Sequence, residues 1–525
     1  MLNNIIWLAP EIYLSFMTVF LLGYGVIYSK LEGVISQQKK ITWLTIIVLS
    51  LTIVLELDLL NKLLTTPNNN VIYIAQGLYG VDTSIVGIKL AVLVGSIGVL
   101  LMSINYYAKE NLVIYEYTQL IMLSTLGMLL LVSSKDLISL YLSIELISLS
   151  LYILAGIKRE GQYSTEASIK YFLLGAVSSG LLLFGSALMY WLTGETSFIG
   201  LGTYIIFSPE EKILAISEVT SLTIAAMFIV VALLFKLAAA PFHMWAPDVY
   251  EGSPTIVTAY FAIVPKIATL GILYQLLLNP FFNILSQLEP LLIICALLSV
   301  VVGSLGAINQ TKIKRLLAYS AIGHMGFMLI GLSTGALDGL FATFIYIVIY
   351  MITSFNTFAF VLSFTSSNST SFISQLGGLS RLNPVLALTF TLGLFSMAGI
   401  PPLAGFFSKY LVLLSAFHQQ LYFVAFIAIM FSVIASFYYI RLIRWMYFRN
   451  SSDYLYKTLC DISMKGLDGL YPNQPSSFIQ ADSSLNISLI NSLILGSTLF
   501  VLLTFLLFPN PLFNFVFESL ATSLI

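Results

Sequence analysis

Charge and cysteine are what this 525-residue chain has least of. Only 9% of its residues are charged against 58% hydrophobic, and the mean hydropathy is +0.96, which leaves too little polar surface to dissolve a globule of this size. Two cysteines, Cys295 in an apolar run and Cys460 in a polar stretch, give no disulfide framework, zinc spacing or thiolate set for an iron–sulfur cluster. The three histidines, His243, His324 and His418, are scattered, with no two on one helix face as paired axial haem ligands would be. No Gly-rich fingerprint follows a strand pattern and no P-loop run is present, so nucleotide binding has no support. A net charge of −1 gives no reason to invoke nucleic acid. The chain is therefore expected to hold no cofactor of its own.

What is abundant is apolar sequence in runs of about twenty residues, the length a helix needs to cross about 30 Å of hydrocarbon. The opening MLNNIIWLAPEIYLSF has no basic leader and carries Pro10 and Glu11, so it is expected to lead into a first span and to stay in the mature chain. Runs and breakers place spans near 10–28, 41–60, 84–107, 117–134, 137–157, 166–192, 221–247, 254–278, 290–308, 315–333, 337–364, 383–417, 421–446 and 487–508. The expected fold is an all-α integral membrane protein of about fourteen transmembrane helices, one polytopic domain over 1–525. Basic residues fall in every other loop: Lys30, Lys39 and Lys40; Lys158 and Arg159; Lys312, Lys314 and Arg315; Arg381; Arg441, Arg444 and Arg449. The stretch 194–217 is acidic instead, with Glu195, Glu210 and Glu211. This alternation fits an even number of spans with both termini on the non-cytoplasmic or intermembrane-space side.

A charge at bilayer depth costs about 2.5–3.5 kcal/mol even on insertion scales, so charges deep inside these runs demand an explanation. Glu145 lies in LISLYLSIELISLSLYILAG, Lys236 in FIVVALLFKLAAAPFHMW, Lys266 in TAYFAIVPKIATLGILYQ and Lys409 in GIPPLAGFFSKYLVLLSAF. Lys89 and Lys170 lie within about two turns of expected helix ends and are expected to snorkel to an interface or pair structurally.

Two of the deep lysines stand beside prolines. Pro241 comes five residues after Lys236, and Pro401 and Pro402 precede Lys409, Pro402 by seven residues. Proline removes a backbone donor and clashes with the preceding turn, so both helices are expected to be broken at membrane depth. Broken backbone in lipid is tolerated where it lines a protein-enclosed or wet cavity. These are the seventh and twelfth spans, five apart, and because five is odd the second of two five-helix units must be inverted. Secondary transporters use that design, with ion sites near the midplane around discontinuous helices. The chain then divides into N-terminal helices at 1–110, a first repeat at 115–280 with Glu145, Lys236 and Lys266, a second at 288–450 with His324 and Lys409, and a loop with a final helix at 451–525. His324 falls on the second helix of its unit, as Glu145 does; it and His243 are candidate relays.

The segments AAAPFHMWAPDVYEGSPT, QTKIKRLLAYSAIGHMGF and AGIPPLAGFFSKY closely resemble the antiporter-like subunits of respiratory complex I and their relatives among multi-subunit cation/proton antiporters. The resemblance covers about 115–450. Within the family, GSPTIVTAYFAIVPK and a lysine at position 409 look like the N-type subunit, subunit 2, where an M-type subunit would carry a glutamate. The short tail is unlike the long lateral helix of the L-type.

Carried over residue by residue, the resemblance implies that Lys236 is the proton-holding lysine of a first half-channel and Glu145 the carboxylate that sets its charge. Lys266 would pass the proton laterally and Lys409 would serve a second half-channel. Burial favours a neutral lysine and a nearby carboxylate the charged form; at about 7 Å and an effective dielectric near 20 the pair interaction is about 2.4 kcal/mol. The resemblance also implies a proton-translocating subunit driven by NADH:ubiquinone electron transfer in other subunits. NAD, FMN, iron–sulfur clusters and ubiquinone would sit in those partners, and neighbouring antiporter-like subunits and membrane lipids would surround this chain.

The alternative is a subunit of a sodium/proton antiporter, which sodium-dependent exchange without NADH would mark. A membrane-embedded lipid-modifying enzyme lacks a paired-carboxylate metal motif or histidine box here, and a scaffold does not explain charges and breaks at matching positions. Seventeen lysines against six arginines, with abundant Ile, Asn, Tyr and Phe, fit organellar coding and favour the mitochondrial inner membrane over a bacterial plasma membrane, with a thylakoid plastoquinone-linked complex as the other organellar alternative.

Overall fold

Without water to satisfy backbone groups, runs this apolar must close their own hydrogen bonds, and helices do so. The computed structural model describes residues 6–28, 34–65, 71–104, 106, 115–211, 216–364, 372–448 and 488–523. Its helices are α1 (Ala9–Tyr28), α2 (Val34–Thr65), α3 (Thr83–Ser103), α4 (Glu116–Ser133), α5 (Leu137–Ala155), α6 (Gln162–Thr193), α7 (Phe198–Glu211), α8 (Ile216–Leu237), α9 (Trp245–Gly252) and α10 (Thr255–Leu278). They continue with α11 (Leu285–Ile308), α12 (Ile313–Ser333), α13 (Leu337–Phe364), α14 (Leu379–Leu382), α15 (Pro384–Ala398), α16 (Ala404–His418), α17 (Tyr422–Phe448), α18 (Leu489–Thr504) and α19 (Asn510–Ser523). Among the described residues, 12 helical segments are long and apolar enough to cross a membrane. With the α15–α16 pair and α18, each of the fourteen expected spans has its helix.

The helices form shells. The apolar window of α10 is 100% buried and those of α12 and α13 are 89% buried, whereas those of α1, α6 and α17 are only 28% buried. The outer helices turn Phe16, Phe20, Phe172, Trp191, Phe423 and Phe426 outward, as lipid-facing helices do. α10 packs against α3, α4, α8 and α13, so Lys266 sits on the innermost helix.

Some elements were not anticipated. The acidic 194–217 stretch contains α7 rather than a plain loop. Ile72–Ile74 and Tyr79–Val81 form a small antiparallel hairpin, Tyr73 opposite Gly80. The tail carries α19, which folds back on α3 and α13, Phe513 meeting Phe341 with ring centroids 5.5 Å apart. The polar stretch 450–486, Cys460 and Lys30 lie outside the described residues.

Candidate functional site

Both expected breaks exist, and their local chemistry is the same. α8 ends at Leu237; Ala238 then takes φ 59°, its N–H bonding Phe235 O while Ala239 N–H bonds Leu234 O. α15 ends at Ala398; Gly399 takes φ 83°, bonding Ser396 O, while Ile400 N–H bonds Phe395 O. Each is the left-handed helix stop that satisfies the last carbonyls with a pair of reversed hydrogen bonds. The Ala240–Pro241 and Pro401–Pro402 peptides are both cis. The chain restarts as α9 and as α16.

The lysines occupy the ends these stops expose. Lys236 lies in the last turn of α8, and Lys409, one turn into α16, reaches back so that Nζ donates to Ala398 O at 2.8 Å. A helix C-terminus carries about half a negative charge, so the second break offers the Lys409 ammonium a seat without a carboxylate. Gly399 makes this seat possible: a Cβ there would lie 2.9 Å from Lys409 Cδ and 3.3 Å from Nζ.

Glu145 and His324 sit near the middles of α5 and α12. Glu145 is partly buried, accepts from Ser148 Oγ at 3.4 Å, and forms no direct ion pair with Lys236. Lys236 Nζ donates instead to Tyr152 Oη at 3.3 Å and lies 5.6 Å from the Tyr152 ring. Glu145, Ser148 and Tyr152, spaced i, i+3, i+7, share one face of α5. The hydroxyl of Tyr152 fits because Gly175 on α6 has no side chain; a Cβ would stand 2.0 Å from it.

Lys266, 2% exposed, has no carboxylate within ion-pair distance among the described residues and lies 5.8 Å from the rings of Tyr250 and Tyr350. Cation–π attraction of about 1 kcal/mol per ring is its main support. Pro265, inside α10, interrupts the backbone ladder beside it, and Tyr350 Oη donates to Ala262 O at 3.1 Å. The Tyr350 ring is 5.5 Å from His324, whose Nδ1 and Nε2 share hydrogen bonds with Tyr346 Oη (2.8 Å) and Tyr439 Oη (3.3 Å).

Two cavities meet at His324. One, with Tyr346, Tyr350, Thr353, Ser396 and Ser408 in its wall, has about 10 Å³ of room for water centres; the other, with Ser304, Ser320, Tyr439 and Lys409, has about 20 Å³. A water needs about 10–15 Å³ and two or more polar partners, so the second accommodates one and the first is at the threshold. Lys266, Tyr350, His324 and Lys409 thus form one line through the buried centre.

The structure therefore brings together Lys266, His324 and Lys409. Lys236 and Lys266 are instead linked through aromatic contacts: Tyr152 to Tyr171 (4.8 Å), Tyr171 stacked on Trp245 (4.7 Å), Trp245 to Tyr250 (6.4 Å). His243 lies in the first break; its Nδ1 is buried with no hydrogen-bond partner among the described residues, and it lines neither cavity. Tyrosines 152, 250, 346, 350 and 439 were missed in the sequence because a tyrosine among 29 carries no signal until its hydroxyl is seen turned inward. Pro265 beside Lys266 was a legible signal.

Lys170 is 43% exposed and paired with Glu166 and Asp248, as expected of a residue near a helix end. Lys89 takes the second of the two expected courses, pairing instead of snorkelling. It is wholly buried between Glu11 and Glu56, so the deep charges outnumber those read from the runs. The long motifs interlock: Glu251 of α9 pairs with Lys312 and, at 3.2 Å, with Arg315, which also lies 3.5 Å from Asp248. Among the described residues no group of His, Cys, Asp and Glu has the geometry to hold a metal ion.

Residues 134–435 match the family model described as NADH:quinone oxidoreductase/Mrp antiporter, transmembrane. The chain is 38% identical over 517 residues to NADH-ubiquinone oxidoreductase chain 2 of Marchantia polymorpha, covering 97% of each. It is 38% identical over 494 residues to NADH-quinone oxidoreductase subunit N of Pelagibacter ubique, covering 93% of this chain and 100% of that one. Its fold matches a chain of respiratory complex I from Thermus thermophilus with bound aureothin, TM-score 0.72 and 28% identity, over 96% of this chain and 98% of the other.

Proposed function

The chain belongs to the NADH:quinone oxidoreductase/Mrp antiporter transmembrane family, and from that premise we propose that it is the N-type, proton-translocating membrane-arm subunit of a respiratory complex I. Its relatives over nearly the whole length are named as oxidoreductase subunits, which favours this reading over a sodium/proton antiporter subunit. It is thus a subunit of a proton-translocating NADH:ubiquinone reductase and a multi-pass membrane protein, for which the lysine-rich, organellar-type composition favours the mitochondrial inner membrane. The hydride and electron carriers belong to other subunits.

In mechanism, Glu145 and Lys236 form a first half-channel, with Tyr152 holding the lysine amine. Lys409, at the C-terminal end of α15, forms the second. Lys266 hands protons to it through His324, and a water in the 20 Å³ cavity bridges the last gap. The two five-helix groups would be inverted repeats; the shared helix stops, 238–241 and 399–402, support this. A lysine held by a helix end or a ring face instead of a carboxylate can release its proton without leaving an unpaired buried carboxylate behind.

The line from Lys266 through Tyr350 and His324 to Lys409 carries the proposal. Its test is the proton-to-electron ratio of the purified complex in liposomes. Lys409→Ala or Lys236→Ala should assemble and oxidise NADH while pumping fewer protons per electron; a wild-type ratio in either would remove that lysine from the path.

A further inference from the structure

Glu11 of α1, Glu56 of α2 and Lys89 of α3 converge between the three N-terminal helices, away from the line just described. Lys89 is 0%, Glu56 0% and Glu11 4% exposed. Lys89 Nζ donates to Glu11 Oε1, which also accepts from Ser133 Oγ of α4 at 3.4 Å. Glu56 Oε1 is 3.6 Å from Lys89 Nζ, beyond hydrogen-bond distance, and among the described residues neither Glu56 oxygen nor Glu11 Oε2 has a hydrogen-bond donor.

Charge balance makes this arrangement informative. Two carboxylates and one ammonium leave a net charge of −1 when all are ionised, in a setting with no solvent to carry it. A buried carboxylate is stabilised by donors, and among the described residues Glu56 has only the Lys89 ammonium, 3.6 Å away and already bonded to Glu11. Among the described residues, the charged groups facing Glu56 from the helices packed on α2 are Glu11 on α1 and Lys89 on α3; Ser133 on α4 is uncharged and donates to Glu11. None supplies a second positive charge. A metal cation would have to sit beside the Lys89 ammonium, which repels it; a proton binds one oxygen and needs no shell.

We propose that the Glu11–Glu56–Lys89 triad is a proton-binding site that holds one exchangeable proton, carried on Glu56. Lys89 lies six residues inside α3, about 9 Å from the helix end at 1.5 Å per residue. Asp82, the N-cap of α3, lies two turns away on the same helix face and 4.0 Å from Lys135, so a second ionisable pair stands between the triad and the membrane face. The site therefore loads from the side where α1 begins and α2 ends.

The test is infrared difference spectroscopy of the intact complex carrying Glu56→Gln, which imitates the proton-loaded acid. Subtracting variant from wild type at neutral pH should show the loss of one protonated carboxylic-acid C=O band that moves in D2O. In Glu11→Gln the subtraction should instead show loss of carboxylate bands. If E56Q removes only carboxylate bands, the triad is fully ionised and the proposal fails; it fails equally if the bands respond to sodium at fixed pH instead of to pH. Glu56→Asp, which keeps the acid and displaces the same band, gives the answer should E56Q not assemble. No turnover is needed, so the outcome is separable from the proposed function.

Discussion

Gly399→Ala tests the second lysine seat more sharply than removal of the lysine. Two costs arise. At φ 83° a Cβ costs roughly 1–2 kcal/mol. The same Cβ, 2.9 Å from Lys409 Cδ and 3.3 Å from Nζ, also pushes the amine off Ala398 O. A hydrogen bond from a charged donor contributes about 1.5–3 kcal/mol. At about 1.4 kcal/mol per factor of ten, its loss would cut the population of the seated amine roughly 10–100-fold. The first break separates the two effects. Ala238 already holds the left-handed position with a Cβ, and its lysine comes from the preceding helix, so no side chain crosses over it. The backbone penalty alone is thus tolerated in this fold. G399A is expected to assemble, with NADH oxidation retained and protons per electron reduced to the level of Lys409→Ala. Proton uptake into liposomes per NADH oxidised reads this directly. A G399A complex pumping at the wild-type ratio would refute the role of the Ala398 seat.

Tyr152→Phe removes only the hydroxyl that accepts from Lys236 and should lower the pumping ratio while leaving assembly intact; Gly175→Ala, whose Cβ would stand 2.0 Å from that oxygen, should reproduce the defect. His324→Phe leaves the Tyr346 and Tyr439 hydroxyls without their ring partner and should lower thermal stability by about 1–3 kcal/mol, whereas His324→Gln should recover stability but not pumping. Glu251→Gln weakens partly exposed pairs with Lys312 and Arg315 and should cost under about 1 kcal/mol per pair, an effect that shrinks in high salt when the melting midpoint is measured. Ala238→Gly should be tolerated within about 1 kcal/mol, while Ala238→Val, β-branched at positive φ, should fail to assemble on native gels.

The sequence by itself determined the solvent, the number of crossings, the two breaks and four of the deep charges. These are one-dimensional properties: hydropathy over about twenty residues decides whether a helix lies in lipid, and a proline acts on the turn beside it. The tertiary structure alone decided which charges meet. Glu56 and Lys89 lie far apart in the chain, and only helix packing makes them neighbours of Glu11. Tyr152 rather than Glu145 touches Lys236, because a contact is set by the facing helix surface and by a glycine opposite it. His324 becomes a wall between two cavities through three tyrosines drawn from α13 and α17. Side-chain direction across a helix interface depends on the neighbour's shape, which no single helix encodes.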